Sequence, residues 1–153
     1  MSYLDMSFYK ELTTKYKASG DFAMAYVIAH EVGHHVQNEL GILGKYHRMQ
    51  QDLSEKERNA ISVRIELQAD YLAGVWARSI QDRNLLDIGD IEEAMNAAHA
   101  VGDYTLQEQA YGYSVPDSFT HGTSEQRMRW FKRGYQYGDL QHGDTFSLSD
   151  SEL

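Results

Sequence analysis

The chain has 153 residues, and its 23 acidic and 14 basic side chains give a net charge of −9. That length fits one domain with a sizeable core. The negative charge opposes a phosphate backbone and argues against a nucleic-acid partner. Cysteine is absent, which excludes disulfides, thiolate metal ligands and a cysteine nucleophile.

No apolar run reaches the roughly 20 residues needed to cross a membrane, and the amino terminus lacks the basic and apolar segments of a signal peptide. We therefore expect residues 1–153 to form a single soluble domain without a membrane segment. Taken alone, the sequence favours a cytoplasmic location.

The first predicted element is a strand over residues 3–8, from Tyr3 to Phe8, in which apolar and polar side chains alternate. A helix is predicted to follow over 8–17. The strand is the one clear strand of the sequence, and a single strand cannot satisfy its own backbone groups. We expect it to pair with a second copy in a homodimer or to lie open beside the functional site.

A long helix is predicted over residues 22–40 and contains the motif H-E-x-x-H. His30 and His34 are four residues apart, so they share one face and can bind a single metal ion. Glu31 lies about 100° round the helix, where its carboxylate can reach a water on that metal. Apolar neighbours, including Ile28 and Val32, predict that the helix is buried.

A second long helix is predicted over residues 54–82 and carries Glu66 and Asp70 on one face. Catalytic zinc takes three protein ligands and leaves a fourth position open. A buried carboxylate pair is costly unless a positive charge neutralises it, and a zinc ion would do so. We therefore predict that Glu66 is the third ligand and that Asp70 accepts a ring N–H, that of His30.

Two alternatives concern these ligands. The two carboxylates could form ordinary ion pairs with Arg64 or Arg78 on a partly exposed face. The metzincin continuation is excluded, because Gln37 and Leu40 stand where its glycine and third histidine are required.

The remaining predictions place the core and the other elements. The expected inner stripe of the second long helix is Ile61, Ile65, Ala69, Leu72, Trp76 and Ile80. Among aromatic residues, Tyr26 and Trp76 are assigned to the core. The other predicted segments are a connection over 42–52 that can include a short helix, helices over 90–100 and 123–138, a weak helix within 102–112, an ordered loop over 112–122, and a frayed tail over 139–153.

With E-x-x-x-D on a second helix, the H-E-x-x-H motif resembles the gluzincins, which have the thermolysin-like architecture. Four segments are more closely similar to the bacterial neutral zinc metallopeptidase family of the YpfJ type. They are D-F-A-x-A-Y-V-I-A-H-E-V-G-H-H-V-Q-N from Asp21, E-L-Q-A-D-x-x-A-G-V-W-A from Glu66, G-D-I-E-E-A from Gly89, and D-S-F-T-H-G-T-S from Asp117 with Arg127.

The resemblance implies an α+β, predominantly helical, gluzincin-like core with a minimal amino-terminal strand, a Zn²⁺ cofactor and a peptide or protein substrate. Members of that family also carry a membrane anchor and further strands before the segment corresponding to residues 3–9, and cysteines after the E-x-x-x-D aspartate. This sequence has neither feature, and Tyr71 follows Asp70. We therefore expect an amino-terminally shortened form, for which an extracytoplasmic location is not implied.

The expected activity is hydrolysis of peptide bonds by a zinc-activated water with Glu31 as general base. His121 is the candidate oxyanion donor, because similar T-H-G or T-H-P segments followed by an arginine occur in related membrane metalloproteases. It could instead cap the following helix. The alternative function is a non-catalytic, zinc-stabilised interaction domain, although a purely structural site has no use for Glu31.

Overall fold

The computed structural model describes residues 21–82, 89–100 and 120–153, and these residues form helices and loops without a β-strand. The α-helices are α1 (Asp21–Glu39), α2 (Ile42–Met49), α3 (Glu55–Asp82), α4 (Asp90–Ala100) and α5 (Ser124–Tyr137). Short 3₁₀ helices span Gln50–Asp52, Gln141–Gly143 and Asp150–Glu152. The predominantly helical character is confirmed. The predicted strand at 3–8, the helices at 8–17 and within 102–112, and most of the loop at 112–122 lie outside the described residues.

Local capping interactions explain where the helices begin and end. At the start of α3, the Ser54 hydroxyl accepts from the Glu57 N–H, and the Glu57 carboxylate accepts from the Ser54 N–H. Thr123 and Gln126 form the same reciprocal pair at the start of α5. That helix ends at Gly138, whose φ of 64° is the left-handed conformation that favours glycine.

Helix α3 is central because α1 and α5 both pack against it. It crosses α5 at two glycines, and a Cβ atom on Gly74 would lie 2.0 Å from the Phe131 carbonyl oxygen. One on Gly134 would lie 1.9 Å from the Tyr71 carbonyl oxygen. The two backbones are therefore in direct contact, and no side chain fits between them.

Two groups of buried apolar residues form the core around α3. The first joins α1, α3, α4 and α5 and comprises Tyr26, Val27, Ala29, Ala73, Ala77, Ala94, Ala97 and Phe131. The second joins α3, α5 and the carboxyl-terminal end and comprises Val63, Leu67, Tyr71, Trp130 and Leu153. Because many residues of the first group are alanines, the helices approach one another closely there.

The buried face of α3 is rotated from the predicted one. Trp76 is 38% exposed, so its assignment to the core is wrong, whereas that of Tyr26 is confirmed. The buried positions include Asp70, Gly74 and Ala77. Around the crossing with α5 the buried positions are mostly small, because the two backbones touch there, and a stripe chosen by large apolar residues misses them.

Helix α1 is buried on one side only. Ile28 and Val32 are 42% and 47% exposed, so the prediction that the apolar flanks of this helix are buried is wrong at these positions. None of the helices in the described part of the chain is long and apolar enough to span a membrane.

The prediction that residues 139–153 form a frayed tail is wrong, because this segment packs on α3 and α5. Leu153 is 2% exposed, and its carbonyl oxygen accepts from the Trp130 indole N–H at 3.2 Å. The buried Thr145 hydroxyl donates to the Arg64 carbonyl oxygen at 2.7 Å. Composition predicted disorder, but these specific contacts fix the segment.

Candidate metal centre

Three candidate metal ligands meet between α1 and α3. His30 Nε2 lies 2.7 Å from Glu66 Oε2, and His34 Nε2 lies 3.2 Å from the same oxygen. One ligand atom from each residue lies within 4.8 Å of the other two. Two imidazole nitrogens and a carboxylate oxygen are a donor set that zinc accepts, so these residues fit the metal that the motif predicts.

The close crossing of the two helices brings these ligands together. Gly33 lies between the two histidines in sequence, and a Cβ atom there would lie 3.0 Å from the Ala69 carbonyl oxygen. The backbone of α1 therefore rests almost directly on α3. This approach lets Glu66 reach both His30 and His34.

Asp70 lies behind the cluster and is completely buried. Its Oδ1 accepts from His30 Nδ1–H at 2.8 Å and from the Tyr26 hydroxyl at 2.5 Å. Arg127 donates from Nε to Oδ2 at 2.7 Å and from Nη2 to Oδ1 at 3.1 Å. The structure thus places Asp70 against His30, as expected, and adds two partners that hold the carboxylate.

The alternative ion pairs for these carboxylates do not form. Arg64 instead pairs with Asp150 at 2.7 Å. Arg78 approaches Asp82 at 3.5 Å and donates to the carbonyl oxygens of Tyr135 and Gln136.

The charges around the cluster shift the pKa values of its members. Burial lowers the pKa of His30, but the carboxylates of Asp70 and Glu66 outweigh burial and raise that pKa to about 9. Burial raises the pKa of Asp70, but the charges of Arg127 and His30 outweigh it and hold that pKa below its ordinary value. For Glu66, hydrogen bonds from His30 and His34 outweigh burial and hold the pKa well below its ordinary value. Both carboxyl groups are therefore ionised at neutral pH, whereas His30 is protonated. A cation that binds His30 Nε2 displaces the proton from that nitrogen.

The two predicted catalytic residues lie at the same pocket as the ligands. The residues lining this pocket are Tyr26, Val27, His30, Glu31, His34, Glu66, His121 and Arg127. His121 is exposed, and its Nδ1 lies 3.1 Å from the Thr120 hydroxyl. The pocket therefore offers a carboxylate and a third imidazole beside the three candidate ligands.

The sequence matches, over residues 1–146, the family described as "Putative neutral zinc metallopeptidase". The chain belongs to this family. It is 56% identical over 147 residues to a protein of Escherichia coli K12 described as "Uncharacterized protein YpfJ", an alignment that covers 96% of this chain and 51% of the relative. It is 42% identical over 160 residues to "Uncharacterized protein Mb2605" of Mycobacterium bovis, covering 97% and 53%.

The chain spans about half the length of the curated relatives it matches. No solved structure matches it. The thermolysin-like arrangement inferred from the motifs therefore has no structural relative to compare with, whereas membership of the zinc metallopeptidase family has the support of nearly the whole sequence.

Three residues at this candidate metal centre were not assigned to it from the sequence: Tyr26, Gln37 and Arg127. Each carries a positional signal. Tyr26 precedes His30 by one helical turn, and Gln37 follows His34 by three residues. Arg127 falls on the same face of α5 as Phe131, and a charge on an apolar stripe indicates a buried partner.

Proposed function

We propose that this chain is a zinc-dependent peptidase domain in which His30, His34 and Glu66 hold the metal. The supporting observation is that these three groups converge with Glu31 on one pocket. When bound, zinc supplies a Lewis acid that lowers the pKa of water and polarises a carbonyl group. The substrate in this proposal is a peptide or protein.

Glu31 is the general base of the proposed reaction. It follows His30 in α1 and lines the pocket without belonging to the ligand cluster. Its carboxylate accepts the proton of the attacking water and returns it to the leaving amine.

His121 is the proposed oxyanion donor. The Thr120 hydroxyl, 3.1 Å from His121 Nδ1, can donate a hydrogen bond to that nitrogen. The ring proton is then on Nε2, where it can be donated to the oxygen of the substrate.

Metal content tests the ligand set. Purified wild type should contain one zinc per chain by elemental analysis, and Glu66→Ala should lose most of it because a two-histidine site lacks its third ligand. Glu55→Ala, which removes an exposed carboxylate on the same helix, is the matched control and should keep its zinc. Full zinc at wild-type affinity in Glu66→Ala would disprove the assignment.

Cleavage of a peptide library with and without a chelator tests the activity. Glu31→Gln should keep zinc and thermal stability but lose at least about 10²-fold in turnover, the usual contribution of a general base. Unchanged turnover in this variant would exclude Glu31 as the base. Stoichiometric zinc in a wild type that cleaves no peptide would favour the zinc-stabilised interaction domain.

A further inference from the structure

Gln37 is a completely buried amide beside the second histidine. Its Oε1 lies 2.8 Å from His34 Nδ1. Its Nε2 lies 2.9 Å from the Ile65 carbonyl oxygen and 2.9 Å from Gln68 Oε1. Every hydrogen-bonding end of this amide is therefore engaged, which is the condition for burying it. The proposed reaction uses none of these contacts.

The Ile65 carbonyl fixes which way round the Gln37 amide lies. A carbonyl oxygen only accepts hydrogen bonds, so the end of the amide that faces it must be the NH₂ group. The amide oxygen consequently faces His34 Nδ1. Because that oxygen also only accepts, Nδ1 must carry the ring proton. Nε2, the nitrogen that faces Glu66, is then the ring nitrogen left to bind a metal ion.

A second amide continues the same chain of hydrogen bonds. Gln68 Nε2 lies 2.9 Å from the Gly143 carbonyl oxygen, so this end of Gln68 must also be its NH₂ group. Gln68 Oε1 therefore faces Gln37 and accepts its second N–H. His34 therefore donates to Gln37, Gln37 donates to Gln68, and Gln68 donates to the Gly143 carbonyl oxygen. The carbonyl groups of Ile65 and Gly143 determine this direction, because they can only accept.

We propose that Gln37 is a positioning residue for the metal ligand His34, holding its ring in the Nδ1–H form with Nε2 directed at the metal. Gln68 and the Gly143 carbonyl keep Gln37 in place. This inference rests on the proposed zinc site but not on peptide hydrolysis. The two histidines are then held by different chemistry, since Asp70 supports His30 with a charge and Gln37 supports His34 with a neutral amide.

Two substitutions at Gln37 separate its role as an acceptor from its role in packing. Gln37→Met keeps a similar volume but removes the acceptor, and zinc affinity measured by chelator competition should fall about 10–100-fold. Gln37→Glu keeps an oxygen that accepts from Nδ1–H, and its buried carboxyl group can retain one of the two donated hydrogen bonds as an O–H, so its affinity should fall less than that of Gln37→Met. Gln51→Met, the same change at an exposed site, should have no effect.

Wild-type zinc affinity in Gln37→Met would overturn the inference. So would an equal loss in Gln37→Met and Gln37→Glu, because it would mean that packing and not the acceptor matters. A wild type that binds zinc but cleaves no peptide would overturn the proposed function alone. A wild type that takes up no zinc would overturn both.

¹⁵N–¹H NMR of the zinc-loaded wild type tests the same inference even if the variants fail to fold. The expected result is a zinc-bound His34 Nε2 and a slowly exchanging Nδ1–H signal. Where the variants do fold, this signal should persist in Gln37→Glu and exchange faster in Gln37→Met. Zinc bound through His34 Nδ1 in the wild type would overturn the inference.

Discussion

At the scale of single residues, Asp70 combines two functions. It orients His30, and removing such a partner weakens a metal site about 10–100-fold. It also neutralises Arg127, which is 4% exposed. Breaking a buried ion pair from one side costs about 3–5 kcal/mol, because the remaining charge stays buried. The second effect is the larger, so Asp70 should contribute more to the stability of the fold than to the affinity of the proposed metal site.

The Asp70–Arg127 pair can be tested by a double-mutant cycle in chelator-treated protein. Asp70→Asn should lower the free energy of unfolding by about 3–5 kcal/mol, because Arg127 loses its counter-charge. Asp70→Asn combined with Arg127→Met should be less destabilised than the sum of the single variants. Chemical denaturation measures all four proteins. Strict additivity would contradict the coupling.

At the scale of helices, close crossings set the dimensions of the site. Gly33 is the contact point of α1 with α3, and ligands come from both helices. The separation of the helices therefore sets the separation of the ligands. Metal–ligand distances tolerate deviations of only about 0.2 Å.

Gly33→Ala should therefore lower zinc affinity, and the metal-free protein should lose at most about 2 kcal/mol of stability. The new methyl group, 3.0 Å from the Ala69 carbonyl oxygen, forces the helices apart by a few tenths of an ångström. The overpacking cost of about 1–3 kcal/mol is partly offset by about 1 kcal/mol of helix propensity.

The control for Gly33→Ala is Gly44→Ala in α2, where a Cβ atom meets only the flexible end of Arg48. Zinc competition and thermal unfolding of both variants give the comparison. Equal zinc affinity in the two variants would show that the crossing does not control the site.

Helices and their local motifs were predictable because neighbouring residues determine them. The four-residue spacings of His30 with His34 and of Glu66 with Asp70 fix a common face on any helix. Reciprocal capping pairs at Ser54 and Thr123 likewise mark helix starts from a few residues.

Contacts between distant segments were not predictable in the same way. The partner of Asp70 lies 57 residues away at Arg127. The burial of Leu153 depends on Trp130 in another helix. The buried face of α3 depends on where its neighbours pack, and Gly74 and Ala77 lie on that face whereas Trp76 does not.

At the scale of the whole molecule, the three main helices are joined unequally. Helices α3 and α5 are in backbone contact at Gly74 and Gly134 and share the Asp70–Arg127 pair. Helix α1 supplies two of the three candidate ligands. Zinc would therefore be an additional link between α1 and the rest of the protein.

Removing zinc should speed up the hydrogen exchange of the α1 amides more than that of the α3 or α5 amides. Hydrogen exchange with and without a chelator measures this effect, and α1 amides should lose the most protection. Glu66→Ala is the matched control, since it should resemble the chelated wild type and respond no further to the chelator. Equal loss of protection in all three helices would contradict the expected order.

The Asp70 network also has a consequence for the order in which the protein is made. Tyr26 and Asp70 are 44 residues apart, and Arg127 follows His30 by 97 residues. Such contacts form only after long loops have closed. During synthesis the two histidines leave the ribosome long before the arginine that supports Asp70. A nascent chain that displays H-E-x-x-H therefore lacks the Arg127 support of Asp70 until α5 has been made, and the complete network forms late in folding.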